Sequence, residues 1–444
     1  MKKPQRGTHT IVSHLSHRLL QRWVPKWFEA FYDPYAGLFY ERVNRNFKPV
    51  TTGYRRLLTQ TRLLAVFSHA LALRPSLAYS GVSSDTVDEC FDGLMKYFHV
   101  PETGGFIFSV DEEGNPLDRT YDLYGHAFVI FALSHYYRLS DSTIARAQAA
   151  KALSFIDNHF RVGGMKGFTE ALDDTLRPIA DKPRRHESHM HLLEACLFAA
   201  DTWDDPAFMR VADEIVDLFA RGFYDAEHQL LSEYFTDDLK PLAQNGHIIC
   251  EPGHYYEWIW LLKKHAALKG DAKLYDVLCL RLLDWANRYG WDRSFGGIYD
   301  ELAPDGHVIA GTKRIWPFTE ALKANVLMLD SMDDKVELKE NIARMVGVFN
   351  EQYMDERGFW TEWLSRELEP ATDYMPGTTP YHVYFGISES AAVLRARGPS
   401  KSWFAWIQGA FYIFARTLSS TVRSVRYAIK ARRRESPAKS AVSG

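Results

Sequence analysis

The chain is poor in cysteine, in long apolar runs and in excess charge of either sign. Its 444 residues include four cysteines and no Cys-x-x-Cys pair, which argues against a disulfide framework and a thiolate zinc site. The basic N-terminus is not followed by an apolar core of secretory length, so we predict no signal peptide and a cytoplasmic protein. Apolar residues make up 46% and charged residues 25%, which excludes a disordered, collagen-like or multi-span membrane chain.

The net charge of −3 hides an asymmetry between the body and the tail. Residues 401–444 hold nine basic residues and one acidic residue, whereas residues 1–400 hold 44 basic and 55 acidic residues. We therefore predict two domains, a catalytic domain over residues 1–398 and a basic tail over residues 399–444. Because the body is acidic, we predict that the protein has no nucleic-acid partner.

The tail begins with an uncharged stretch, residues 402–415. This stretch is shorter than the ~20 residues that a helix needs to span a bilayer. Aromatic residues followed by a basic segment are typical of an interfacial anchor, so residues 402–434 predict peripheral contact with the inner face of a membrane. The alternative is an extra helix at residues 403–418 that packs on the body and leaves the basic end in water.

Six aromatic, glycine-marked segments recur along the body at intervals of 62 to 67 residues. They begin at Tyr32, Phe98, Phe160, Tyr224, Trp291 and Met354. Each is typical of a short β-hairpin, and each is followed by an apolar helical stretch and then by an amphipathic one. Such units cannot bury their apolar helices alone and must pack on their neighbours.

The repeat predicts an all-α fold, an (α/α)6 toroid of six hairpin-plus-two-helix units. The apolar helices would line the inside, the amphipathic helices would form the outside, and the hairpins would lie at one mouth. An open solenoid of the same units is the alternative, but it would carry distinct polar caps at its ends, and the sequence shows none.

One side chain that can carry a charge or transfer a proton lies 28 to 31 residues after each hairpin start. These residues are Arg62, His126, His191, His254, Glu320 and His382. In a sixfold ring they would converge on one cavity, although any single histidine could instead have a structural role. His254 and Glu257 share a helix face at i,i+3, and Glu187 and His191 do so at i,i+4. His189 and His191 diverge at i,i+2, so the sequence predicts no metal site.

Six stretches carry a family resemblance that runs from about residue 50 to residue 395. They read QTRLLAVFSHAL, DLYGHAFVIFAL, SHMHLLEA, EPGHYYEWIWLL, KRIWPFTEALKA and MPGTTPYHVYFG. Together they resemble the N-acylglucosamine 2-epimerase superfamily, in the branch that contains mannose isomerases and mannose-6-phosphate isomerases. The combination of EPGHxxEW, SHMHLLEA and PYHVY is specific, whereas each motif alone would be weak.

The resemblance implies a cofactor-free isomerase or epimerase acting at C2 of a small reducing sugar. It implies that His254 and His382 are the catalytic acid/base pair and that Arg62 binds the substrate near O1 and O2. His191 and Glu257 match further binding residues of the family, Tyr124 and Glu320 fall in matching motifs, and Glu187 shares a helix face with His191. The substrate-binding set that we predict is therefore Arg62, Tyr124, Glu187, His191, Glu257 and Glu320. Glu187 stands where relatives often carry Asn, which leaves the identity of the sugar open.

Histidine suits this chemistry because removal of the C2 proton needs a base that titrates near neutral pH. We expect conversion of a mannose-type aldose into a fructose-type ketose through an enediol. The alternative is a C2 epimerase of N-acylglucosamine, N-acylmannosamine or a related sugar. A remoter alternative is an (α/α)6 glycoside hydrolase that pairs Glu257 with Glu320 or Glu187. A sugar-binding toroid without catalysis is a further alternative.

Overall fold

A computed structural model describes residues 7–164, 167–180 and 182–396. By internal contacts the chain divides into two units, Met1–Ser390 and Ala391–Gly444. The α-helices are α1 (Thr8–Arg18), α2 (Val24–Phe31), α3 (Leu57–Leu73), α4 (Ser84–Tyr97), α5 (Leu123–Ser140), α6 (Thr143–His159), α7 (His186–Trp203), α8 (Pro206–Leu218), α9 (Pro252–Leu268), α10 (Asp276–Tyr289), α11 (Ile315–Met328), α12 (Val336–Val348) and α13 (Pro380–Ala396). Three π-helical turns, Leu19–Trp23, Phe219–Phe223 and Phe349–Tyr353, and a 3-10 helix, Pro75–Ser80, complete the helical elements of the described residues.

Two kinds of helix alternate along the chain. Helices α3, α5, α7, α9 and α11 are buried on nearly all sides, and each packs against the next in that order. Helix α8 buries one face, through Phe208, Val211, Ala212 and Ile215, as expected for an amphipathic helix with a solvent side. The first kind therefore forms an inner layer and the second kind an outer layer.

Short strands connect each unit to the next at the end where the inner helices begin. The strand pairs inside a unit are Tyr32–Asp33 with Leu38–Phe39, Ser109–Val110 with Pro116–Asp118, Tyr224–Asp225 with Leu230–Leu231, and Glu301–Leu302 with Val308–Ala310. The pairs between units are Arg55–Arg56 with Ser109–Val110, Tyr121–Asp122 with Ala171–Leu172, Arg184–Arg185 with Tyr234–Phe235, Lys313–Arg314 with Trp363–Leu364, and Arg42–Asn44 with Tyr374–Pro376. An isolated bridge, Cys250 with Leu302, joins the fourth unit to the fifth.

The pairing of Arg42–Asn44 with Tyr374–Pro376 joins the last unit to the first. Across the same seam, the hydroxyl of Tyr384 on α13 lies 2.8 Å from Nδ1 of His69 on α3. The units therefore close into a ring, which an open solenoid would not do. The predicted (α/α)6 toroid with hairpins at one mouth is confirmed.

An acidic side chain from the hairpin caps the following inner helix in four of the units. Its carboxylate accepts a hydrogen bond from the backbone N–H of the residue just before the helix, as the glutamate of a capping box does. These bonds join Glu41 to Arg56, Glu170 to Arg185, Glu233 to Glu251, and Asp300 to Arg314, at 2.6, 2.8, 3.2 and 3.0 Å. The repeat therefore supplies one buried carboxylate at the mouth for each of these helices.

The predicted tail lies outside the described residues. The division after residue 398, the membrane contact of residues 402–434 and the alternative packing of residues 403–418 therefore stay predictions. Within the described part of the chain, none of the helices has both the length and the apolar character needed to cross a membrane.

Candidate active site

His254 occupies a position at which other units carry a residue that only supports the helix cap. In the first and third units the residue three places after the capped N–H is Thr59 or Ser188, whose hydroxyl donates to the capping carboxylate. In the fourth unit this residue is His254, whose Nδ1 lies 2.8 Å from Oε2 of Glu233. Although burial opposes the charged imidazolium, the Glu233 carboxylate outweighs it and raises the pKa of His254.

A second imidazole lies near the same oxygen of Glu233. The indole N–H of Trp258 donates to Nδ1 of His186 at 3.2 Å, so a neutral His186 carries its proton on Nε2. That nitrogen lies 3.2 Å from Oε2 of Glu233. Burial disfavours the Glu233 carboxylate, but the two histidines outweigh burial and hold its pKa well below the usual range. Glu233 is therefore a buried anion that orients His254.

His382 is in the opposite electrostatic state. Its Nδ1 lies 3.0 Å from Oε1 of Glu320, whose other oxygen forms an ion pair with Lys323 at 2.7 Å. Burial lowers the pKa of His382 to about 3, and the Glu320 carboxylate offsets this only in part. His382 is therefore held neutral, with Nε2 as the ring nitrogen that can accept a proton.

Trp316 lies between the two histidines. Its ring centroid is 5.0 Å from that of His254 and 5.2 Å from that of His382. Gly253 makes room for the indole, because a Cβ at that position would lie 2.4 Å from it. The glycine of the EPGH motif is thus required for close packing, and the two imidazoles share one aromatic wall.

Arg62 brings a cation into the same cavity. Its guanidinium donates to the hydroxyl of Tyr124 at 2.5 Å and to the carbonyl oxygen of Thr378 at 3.3 Å, and it lies 4.4 Å from the ring centroid of Phe128. Its buried Nε has no hydrogen-bond partner within the described part of the chain. Arg62 can therefore donate a further hydrogen bond to an oxygen atom of a ligand.

His191 and Glu257 complete the lumen. Nδ1 of His191 lies 3.2 Å from Glu194, and Nε2 lies 3.8 Å from Oε1 of Glu257. Burial lowers the pKa of His191 well below its usual value. Burial, followed by the neighbouring Glu320 carboxylate, raises the pKa of Glu257 well above its usual value. Neither Glu257 oxygen has a hydrogen-bond partner among the described residues, so this side chain is available to a ligand.

Two predicted residues form other contacts. Glu187 pairs with Arg185, the residue just before α7, and is partly exposed, and its role in substrate binding stays a prediction. The expectation that His126 faces the cavity is wrong, because both of its ring nitrogens are used by the backbone. Nε2 accepts a hydrogen bond from the N–H of Phe106 at 3.0 Å, and Nδ1 lies 2.7 Å from the carbonyl oxygen of Asp122.

The hydrogen bonds to the hairpins explain why the prediction from residue spacing was wrong for His126. Gln60 and His189 accept hydrogen bonds from hairpin N–H groups as His126 does, so these three positions are equivalent. The lumen residues of the first three units lie two places later and are Arg62, Phe128 and His191. The spacing prediction thus matched Arg62 and His191 but was shifted by two residues in the second unit.

Sequence reasoning missed Glu233, although a signal was present. The hairpins carry an acid at a similar distance from their start, as in Glu41, Glu170, Glu233, Asp300 and Glu362. Recognising this repeat would have predicted a carboxylate beside His254. Lys323, a further neighbour of the site that was not predicted, lies three residues after Glu320 on α11.

Three groups of described residues have ligand atoms close enough to hold a metal ion. They are His186 with Glu233 and His254, His191 with Glu194 and Glu257, and Glu257 with Glu320 and His382. In the first group Glu233 already bonds to His254. In the third group Glu320 already bonds to His382 and pairs with Lys323, whereas the Glu257 oxygens have no hydrogen-bond partner among the described residues. The prediction of a metal-free, cofactor-free enzyme stays a prediction.

A closed toroid whose lumen holds histidine–carboxylate pairs and one arginine defines a class of barrel enzymes that act on small polar ligands. Residues 37–386 match the family described as N-acylglucosamine 2-epimerase (GlcNAc 2-epimerase). The chain belongs to this family and is a sugar isomerase or epimerase.

Individual relatives agree with this assignment. Mannose-6-phosphate isomerase of Rhizobium meliloti (strain 1021) is 28% identical over 396 residues, which cover 86% of this chain and 97% of that protein. Cellobiose 2-epimerase of Bacteroides fragilis is 24% identical, over 75% of this chain and 85% of that protein. A crystal structure of D-mannose isomerase has the same fold, with a TM-score of 0.77, 20% identity and coverage of 88% of this chain and 99% of that one.

Proposed function

We propose that the protein is a cofactor-independent aldose–ketose isomerase that converts an unphosphorylated mannose-type sugar into the corresponding ketose. The observation that carries this proposal is the opposite electrostatic state of the two histidines beside Trp316. His382 is held neutral, and His254 is held towards its imidazolium form. Two groups of one kind whose pKa values are moved apart by their surroundings are typical of a base and its partner acid.

In the proposed reaction His382 takes the proton from C2 of the open-chain sugar. The C2–H electron pair forms the C1=C2 bond of the enediol, and the carbonyl electrons move to O1. Arg62 stabilises the negative charge that develops there, because a preformed cation in a buried site needs little reorganisation. Return of the proton to C1, with loss of the O2 proton, gives the ketose. His254 supplies and removes the protons on oxygen that ring opening and enediol formation require.

The charges at the mouth support an unphosphorylated substrate. Four cations on the strands that lead into the inner helices are already paired with carboxylates. These pairs are Arg56 with Glu41, Arg185 with Glu187, Lys313 with Asp292, and Arg314 with Glu251 and Asp300. A phosphate would have to compete with a carboxylate for each of these cations, whereas sugar hydroxyls would not.

A glycoside hydrolase is less well supported by the carboxylates. One oxygen of Glu320 is bonded to His382 and the other is paired with Lys323, so Glu320 has no oxygen free for attack on an anomeric carbon. Glu187 is paired with Arg185. The C2 epimerase alternative uses the same histidines on opposite faces of the enediol, so product analysis must separate it from the isomerase.

The deciding experiment is NMR of the purified protein with D-mannose, mannose 6-phosphate, N-acetylmannosamine and a β-linked mannose disaccharide in D2O. We expect a ketose from D-mannose, at a rate at least tenfold above that with the phosphorylated sugar. H382N should abolish both turnover and C2–H exchange. An epimerised aldose carrying deuterium at C2 would establish the epimerase, and a released monosaccharide would establish the hydrolase. Wild-type turnover in H382N and H254N would overturn the proposed mechanism.

A further inference from the structure

Lys323 is buried on α11 beneath the proposed base. Only 1% of its surface is exposed. Its Nζ lies 2.7 Å from Oε2 of Glu320, whose Oε1 lies 3.0 Å from Nδ1 of His382. The cation, the carboxylate and the imidazole therefore form a continuous row, in which Glu320 joins Lys323 to His382.

The surroundings of this row are acidic. Nζ of Lys323 also lies 3.7 Å from Glu389 and 5.1 Å from the ring centroid of Trp260. The charged and titratable groups that face the row from the packed helices are Arg62 on α3, His191 and Glu194 on α7, Glu257 on α9, and Tyr381 and Glu389 on α13. Burial raises the pKa of Glu389 to about 7 and also raises those of Glu194 and Glu257.

Glu320 is the exception among these buried carboxyls. Although burial disfavours its charge, Lys323, followed by His382, lowers its pKa to about 2. An ionised carboxylate can only accept hydrogen bonds, so Nδ1 of His382 must be the donor to it. Lys323 thus favours the ionised form of Glu320, and Glu320 is the carboxylate that contacts the proposed base.

We propose that Lys323 is a positioning residue for the proton transfer: it keeps Glu320 ionised and thereby holds His382 in the tautomer whose Nε2 can accept the sugar proton. This inference rests on the proposed function. Without the ammonium group, Glu320 and His382 would share a proton and titrate as a pair at higher pH. A protonated Glu320 would donate to Nδ1, and His382 would then carry its proton on Nε2 and could not act as a base.

Kinetics of K323M and K323Q test the role in turnover. Because a positioned general base contributes typically 10²–10⁴-fold, we expect kcat to fall about 10- to 100-fold when its tautomer is no longer held. KM should stay within about threefold, since the contacts described for Lys323 are with Glu320, Glu389 and Trp260. The acid limb of the kcat–pH profile should move to higher pH. K323R keeps the charge and should restore the wild-type acid limb and part of the rate.

The matched control is K263M, which removes another ion-paired lysine of an inner helix, with 11% of its side chain exposed. Lys263 pairs with Asp276 on α10, away from the row, and forms none of the contacts described for Glu320 and His382. K263M should lower the melting temperature and leave the acid limb in place. If K263M moves the acid limb as far as K323M does, the effect is general loss of packing and the proposal fails.

A readout that needs no sugar separates this inference from the proposed function. In ¹⁵N-histidine-labelled protein the ring nitrogens of His382, assigned by their loss in H382N, report the tautomer directly. We expect protonated Nδ1 and unprotonated Nε2 in the wild type and in K323R, and protonated Nε2 in folded K323M or K323Q. An unchanged His382 spectrum in a folded neutral variant overturns the role of Lys323, whatever sugar the protein acts on. Absence of sugar turnover in the wild type would instead overturn the proposed function.

Discussion

Glu233 and His254 are 21 positions apart in the chain, and the carboxylate of one lies 2.8 Å from Nδ1 of the other. The same carboxylate accepts the N–H of Glu251 that caps α9. One side chain therefore ends the hairpin, starts the helix and orients the histidine. His254, the proposed acid, thus bonds to its hairpin carboxylate as Ser188 bonds to Glu170 in the preceding unit.

E233Q should impair the reaction more than it impairs the fold. Glutamine can still accept the N–H of Glu251, but it cannot stabilise the imidazolium of His254. We expect a loss of about 10²–10³ in kcat, the size seen when one preorganised electrostatic partner is removed. The alkaline limb of the pH–rate profile should move to lower pH, because the pKa of His254 would no longer be raised by Glu233.

E170Q is the matched control for E233Q. Glu170 caps α7 in the same way, but its side-chain partner is Ser188. We expect a change in melting temperature without a shift of the alkaline limb. Equal shifts in both variants would show that capping, and not the charge beside His254, determines the profile.

R62A should lower kcat/KM by about 10²–10³, because it removes the cation proposed to meet the developing charge on O1. Y124F should have a smaller effect, about tenfold or less, since it removes one hydrogen bond that holds the guanidinium. R56A removes a mouth cation that is already paired with Glu41 and should leave kcat within about twofold. Initial rates with the sugar that the wild type converts will rank the three variants. R62A with wild-type kcat/KM would contradict this assignment.

The toroid should lose stability in mild acid. Burial lowers the pKa of His126 to about 4 and that of His189 to about 3, so these groups stay neutral in the folded protein. An unfolded chain takes up these protons below about pH 6.5. Stability is therefore complete above pH 6.5 and falls as the pH decreases towards the folded-state values, by about 2 kcal/mol at pH 5 for His126 alone.

H126Q tests this pH dependence with a residue that the fold already uses at the equivalent position. Gln60 accepts the N–H of Phe39 at 2.7 Å, as His126 accepts that of Phe106. We expect a smaller difference in unfolding free energy between pH 7.5 and pH 5 in H126Q than in the wild type. An unchanged difference would assign the acid sensitivity to other groups.

Dialysis against EDTA should leave the activity unchanged. His254 already bonds to Glu233 and His382 to Glu320, and the proposed proton transfers use no metal ion. We expect equal initial rates before and after chelation, with metal content followed by mass spectrometry. Loss of activity that a divalent ion restores would contradict the prediction.

Much of the architecture could be predicted because each unit repeats a local pattern. The hairpin segments and the apolar and amphipathic stretches follow from aromatic, glycine and apolar spacing alone. The starts of the inner helices depend on more than apolar spacing. Helix α9 begins at Pro252 and α13 at Pro380. Capping by a hairpin carboxylate and a proline in the first turn extend these helices towards the mouth.

The sequence by itself determined the sixfold repeat, the layer to which each helix belongs and the presence of His254, His382 and Arg62 near the starts of inner helices, because these properties depend on local spacing. Only the tertiary structure decided which groups are charged. Glu233 lies beside His254, Glu320 lies between Lys323 and His382, and both ring nitrogens of His126 bond to the backbone. Protonation states depend on burial and on the partners that the packing of hairpins and inner helices brings together.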